Sequence, residues 1–259
     1  MHAIHRGLIA IALALPVSAA VLPAFGPPAS RPPAKKTVAV LDFDNHSGDE
    51  KYDPLGKGIA AMMISDLSAV DGVQLVEREH LQDLIEELKL QQSQYADPAT
   101  ASKIGKFTGA DYVVVGAINA LDPNVRIDTR VLRVESGEIV KTAVAQGKEE
   151  KFFKLQKQLS DQLIDGLELA LSPEQKAKLE KQQERNRIDE LATALKFSQA
   201  MWAFDNEDYV GAVEKMVPVV REAPRSELVK LTYDHMKQRA AQAGRKKLTD
   251  KLRGIIRED

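Results

Sequence analysis

Residues 42–58 read DFDNHSGDEKYDPLGKG, a dense group of polar side chains directly behind an apolar run. A metal site, a phosphate loop or an activated nucleophile could each be built from such residues, and each makes demands on spacing. A calcium loop needs oxygen ligands at positions one, three and five, Gly at six and Glu at twelve. Asp42, Asp44 and His46 fall at the first three, but Ser47 and Asp53 stand at six and twelve. His46 is also a poor ligand for a hard cation. A phosphate loop needs G-x-x-x-x-G-K-[ST]. Gly56 and Lys57 are there, yet Lys51 replaces the first Gly and Gly58 the hydroxyl residue. Ser47 beside His46 is no catalytic pair, because neighbours in sequence point apart and no third group orients them.

Other chemistry finds little support along the chain. The five histidines are His2, His5, His46, His80 and His235, with no H-E-x-x-H, and there is no Cys. That excludes thiolate metal sites, disulfides, Cys nucleophiles and lipidation through an N-terminal Cys. No G-x-S-x-G is present, and a single Trp among 5% aromatics is poor equipment for stacking sugars. The expectation is a protein that is not an enzyme and holds no cofactor and no metal. A net charge of −2 over 259 residues gives no field to recruit nucleic acid or an anionic membrane.

The N-terminus speaks of export. Arg6 precedes the apolar stretch LIAIALALPVSAAVLPAF, with small residues at Ser18, Ala19 and Ala20. This is the layout of a secretory signal peptide over residues 1–20. An uncleaved membrane anchor is the alternative, and would be the chain's one attachment to a membrane. Residues 21–36 read as a Pro-rich linker.

Folding is expected from Thr37. TVAVLDF has the continuous apolar look of a strand buried on both faces. Behind the polar stretch, Ile59, Met62, Met63, Leu67 and Val70 form a helical stripe, with Gly72 suited to a left-handed stop. VQLVE is a second strand, and Leu81, Leu84, Ile85 and Leu88 mark a second helix. Asp97 and Pro98 open a short helix that ends near Gly109, and DYVVVGAI follows as a third buried strand. Val125, Ile127, Thr129 and Val131 then alternate with charged residues, and IVKTAVAQ is the hairpin partner. The order predicts an α/β fold, a three-layer mixed sheet with flanking helices over 37–148.

From residue 149 the pattern is helical. Leu155, Leu159, Leu163, Leu167 and Leu171 recur on one stripe, and Ser172, Pro173 and Gln175 encode a new helix start. Residues 149–187 are read as connecting helices. Residues 188–259 then form an all-α helical module. Its first part resembles one tetratricopeptide repeat, on Ala200, Tyr209, Ala212 and Pro224. SELVKLTYDHMKQRAAQAG supplies one more helix and the basic RKKLTDKLRGIIRED a frayed tail helix.

Three blocks carry a wider resemblance. V-A-V-L-x-F-x-N-x-S-G-D spans Val38 to Asp49; Val76, Arg78 and Leu81 form V-x-R-x-x-L; G-A-D-Y-V-V-V-G spans Gly109 to Gly116. In this order they resemble the bacterial CsgG-like family of curli-secretion and FlgO-type envelope proteins, similar also to TolB and LpoB amino-terminal domains. The resemblance implies a periplasmic α/β domain, outer-membrane associated in some members, that assembles, secretes or activates envelope machinery without catalysis. It implies that Asn45, Ser47, Gly48 and Asp49 shape a turn and bind no ligand. It leaves three roles: a scaffold or secretion accessory, an export-channel component of curli-type secretion, or an LpoB-like activator of a peptidoglycan synthase. The charged hairpin, with Arg126, Asp128, Arg130 and Arg133, would be costly facing lipid and speaks against a pore. The expected partners are envelope proteins or further copies of the chain, and the candidate partner contacts are His46, Glu50, Tyr52, Trp202, Phe204 and Tyr209.

Overall fold

The computed structural model describes residues 35–257 except 96 and 122, with the backbone alone at 92, 121 and 247–257. The expected signal peptide and residues 21–34 of the expected linker lie outside the described residues. Lys36 already belongs to the first strand, β1 (Lys36–Val40), which is followed by β2 (Asp44–Asn45) and α1 (Leu55–Leu67). Then come β3 (Val73–Leu75), α2 (Arg78–Glu87), α3 (Pro98–Thr108), β4 (Tyr112–Leu121), β5 (Asn124–Arg133) and β6 (Ile139–Lys148). Helices α4 (Phe152–Gly166), α5 (Pro173–Arg185), α6 (Leu191–Asp205), α7 (Tyr209–Glu222) and α8 (Glu227–Arg257) complete the chain.

The strands form one mixed sheet in the order β3-β1-β4-β5-β6, with β2 also paired to β4. β1 lies parallel to β3 and β4, and β4, β5 and β6 run antiparallel. Side-chain alternation divides the apolar residues between two faces. Val38, Val114, Ile118, Val125 and Ile127 pack on one face beneath α1 and α4. Ala39, Val113, Val115 and Leu132 pack on the other, with α2 and α3 residues. The three layers follow from this. Val125, Ile127, Thr129 and Val131 are all fully buried, as their alternation predicts, while Arg126 and Arg130 are exposed.

Local signals set most element ends. The Asp97 side chain accepts from the Thr100 N–H at 2.8 Å, and Gly109 takes φ +66. Ser172 and Gln175 close a reciprocal capping box at the start of α5. α6 and α7 form the expected helical hairpin, with Ala200 and Ala212 fully buried, and α7 ends two residues before Pro224.

Three expectations are corrected. Gly72 is not the left-handed stop of α1, which ends at Leu67 with Ser68 still right-handed. What Gly72 provides is room, since a Cβ there would lie 3.1 Å from Leu169 Cδ2. α4 stops at Gly166, so Leu171 lies beyond it and is only half-buried. The last two helices are one, because α8 runs unbroken through Gly244. A single interior Gly costs a helix only about 1 kcal/mol, too little to end one.

Candidate functional site

The polar stretch folds as a turn knotted on itself. The Asn45 amide donates to Asp49 O at 2.9 Å and Asp53 Oδ1 at 2.7 Å, and its Oδ1 accepts from the Ser47 N–H and hydroxyl. Gly48 sits at φ +76, and Asp49 caps the next short turn by accepting from the Lys51 N–H at 3.0 Å. These side chains bond to the turn's own backbone and to one another, which is the turn-shaping role expected of Asn45, Ser47, Gly48 and Asp49.

A second cluster lies where β1 and β3 end. In open α/β sheets the crevice outside the carboxyl ends of the strands is where ligands bind. Asp42 follows β1, Arg78 follows β3, and Lys57 projects from the first turn of α1. Lys57 Nζ stands 2.8 Å from both Asp42 Oδ2 and Asp205 Oδ2. Arg78 forks onto Asp205, with Nη1–Oδ1 at 2.8 Å and Nη2–Oδ2 at 2.5 Å. Burial alone would raise the Asp205 carboxyl, but the hydrogen bonds and charge of Arg78, joined by Lys57, hold it below the usual range. Tyr95 is buried nearby; its burial, with the Asp42 carboxylate, pushes its phenol up. Two cations and two carboxylates leave the cluster neutral. Its fourth member comes from the last residue of α6, so a helix of the C-terminal module closes the crevice.

Beyond Asp205 opens a groove of about 550 Å³ between α2 and helices α6 and α8. Glu79, Asp83 and Glu86 line its α2 side, and Met201, Phe204 and Leu231 supply apolar surface. Phe204 meets Tyr209 edge-to-face and His235 at a tilt, each with ring centroids 5.3 Å apart.

Of the candidate contact residues, Phe204 and Tyr209 come together, and the six form no single surface. His46 is exposed with its Nε2 2.9 Å from Asp44 Oδ2, and Glu50 is exposed on the turn. Tyr52 is only 5% exposed and points its hydroxyl to Glu149 Oε1 at 3.4 Å, so it packs in the core and presents little surface. Trp202 is 40% exposed, with Lys57 Nζ 5.6 Å from its ring centroid. Phe204 and Tyr209 line the groove. Sequence reasoning missed Asp42, Lys57, Arg78 and Asp205 as a unit; the one available signal was Lys57, a charge inside an apolar helix. Among the described residues no group of three or more His, Asp or Glu side chains is placed to hold a metal ion.

Residues 27–127 match the family model of the curli production assembly/transport component CsgG. Among curated proteins, putative adenylate cyclase 3 of Rhizobium meliloti (strain 1021) is 25% identical over 160 residues, which are 61% of this chain and 24% of that one. The chain thus spans about a quarter of the length of this relative. Among solved structures, it is similar to the LpoB C-terminal domain from Salmonella enterica (17% identity, 44% of this chain and 84% of that one, TM-score 0.38). Lipoprotein GNA1162 from Neisseria meningitidis is similar over 52% of this chain and 99% of its own, at 15% identity and TM-score 0.39. Residues 27–127, which hold the three sequence blocks and the self-knotted turn, are thus similar to the CsgG family.

Proposed function

We propose that the protein is a non-enzymatic component of the bacterial cell envelope, exported to the periplasm, that serves assembly or secretion as a scaffold through protein–protein contacts. The observation that carries this reading is the closed crevice. The position where an α/β enzyme would receive its ligand is filled by Asp205 of the chain's own helical module, on Lys57 and Arg78. The family description, curli production assembly/transport, supports an envelope role. In this reading residues 37–148 are the family domain, and the tetratricopeptide-like helices of 188–259 are an adaptor. Its partner contacts are His46 and Glu50 on the turn and Trp202 on α6.

The test is site-specific photocrosslinking in cells of the source bacterium, with the crosslinker at position 46 or 202. Discrete adducts to another envelope protein are expected. Turnover of ATP to cyclic AMP by the purified chain, the activity named for the Rhizobium relative, would overturn the non-enzymatic reading. So would recovery of the protein solely from the cytoplasm.

A further inference from the structure

We propose that two copies of the chain associate through antiparallel α8 helices, the basic end of each seated in the acidic groove of the other. The groove offers the acceptor. Glu79, Asp83 and Glu86 fall at i, i+4 and i+7 on α2, and all three are exposed. Across from them Leu231 of α8 is 69% exposed, a large apolar side chain with no cover in the single chain. Of the cations on this face, Arg78 is spent on Asp205, Arg239 lies over the Tyr209 ring, and His235 Nε2 is 3.7 Å from Glu79. The acidic side of the groove therefore calls for positive charge from outside.

The chain itself supplies a matching segment. Residues 245–257 contain six Arg or Lys and one acid, Asp250. Leu248, Leu252, Ile255 and Ile256 fall at i, i+4, i+7 and i+8, the spacing of one helical stripe. This segment cannot reach its own groove. α8 is continuous from Glu227 to Arg257, and at about 1.5 Å per residue Leu248 lies about 26 Å along the axis from Leu231. A second copy running antiparallel brings the two together. With Leu231 opposite Ile256, the two-fold axis falls between Ala243 and Gly244. Small residues gather there, at Ala240, Ala241, Ala243 and Gly244, and a Cβ on Gly244 would meet nothing within 4 Å in the single chain. Two helices can approach closely at that crossing, and the same surface serves both copies, as a closed two-fold interface requires.

Light scattering on the full purified chain tests this, as a function of concentration. The mass of two chains is expected at micromolar concentration. Asp83→Lys with Glu86→Lys should weaken the dimer roughly tenfold or more, as should Lys247→Glu with Lys251→Glu. Combining all four substitutions should restore it, because each interface then carries the pair reversed. The chain has no Cys, so Leu231→Cys with Ile256→Cys gives a clean readout of register, and an intermolecular disulfide is expected. A monomer at every concentration would overturn the proposal, whatever else fills the groove. Failure of the fourfold variant to recover would do so too. A disulfide formed across copies by Leu248→Cys alone would show parallel pairing and equally overturn it.

Discussion

Asp66 lies on α1 facing α4 and has no exposed surface. It accepts from the Ser160 hydroxyl at 2.6 Å and the Gln156 amide at 3.0 Å on Oδ2, while its Oδ1 and Gln156 Oε1 have no partner among the described residues. Burial pushes its carboxyl up to about 6 against those two hydrogen bonds. The folded state then holds this proton more tightly than the unfolded chain, whose aspartates titrate near 4. Between about pH 4 and 6 stability falls as pH rises, and above that window the cost is complete, on the order of 3 kcal/mol. Asp66→Asn keeps the shape and removes the charge. It should raise the thermal midpoint over wild type at pH 8 and leave it nearly unchanged at pH 4; melts across that range check it, and an equal shift at both ends refutes the assignment. Asp66 is a charge in an apolar helix, as Lys57 is, but sequence does not show its partners, which are 90 and 94 residues away. The Asn45 turn was legible because every partner lies within eight residues.

At the scale of elements, what joins α6 to the sheet domain is a close approach and a charge cluster. Gly58 of α1 leaves the space that Ser198 of α6 fills, and a Cβ at Gly58 would lie 1.9 Å from Ser198 Oγ. Two turns of α6 further on, Asp205 meets Lys57 and Arg78. Removing one member of such a cluster strands the others: with Asp205→Ala, Lys57 keeps Asp42 and Arg78 loses its paired carboxylate, with Asp42 and Glu79 left as more distant charges. A loss of about 3–5 kcal/mol is expected in urea unfolding, with faster amide exchange in α6 than in β5. Adding Arg78→Met should recover part of that loss, because it removes the orphaned charge; additive losses in the double variant would deny the coupling. The carboxyl is held low, so its contribution is present above the ordinary aspartate range and lost as pH falls below it. The helices and strands were legible from period and caps, which are local. The cluster was not, because it draws on positions 42, 57, 78 and 205, and only the completed fold makes them neighbours. The far edge of the sheet shows the same limit. β6 is an edge strand, and Gln162 and Gln158 of α4 take up the Val144 N–H and C=O at 3.1 and 3.3 Å. That blunts a pairing edge with residues that read in sequence as ordinary helix surface.

On the scale of the whole molecule, one apolar cluster runs from Val38 in β1 through Met62 and Met63 in α1 and Leu159 in α4. It continues to Phe197 in α6 and Met236 in α8. The sequence break at residue 188 is a change of period, yet the core crosses it. Most of β5 and all of β6 and α4 lie beyond the residues that match the family model, and they complete the sheet and its cover. The described residues, 35–257, belong to one compact unit. A chain ending at Arg187 would lose α6, α7 and α8 together. It would uncover the α1 surface around Gly58 and Met62, and it would leave Lys57 and Arg78 without Asp205. Such a truncation should not fold as a smaller version of the same domain. It should bind a hydrophobic dye and aggregate, while the full chain unfolds in one calorimetric transition whose van't Hoff and measured enthalpies agree. Two separated transitions in the full chain, with the truncated form keeping the lower or upper one, would show instead that the sheet domain and the helices fold independently. The helices would then be a separately folded unit and not part of the core.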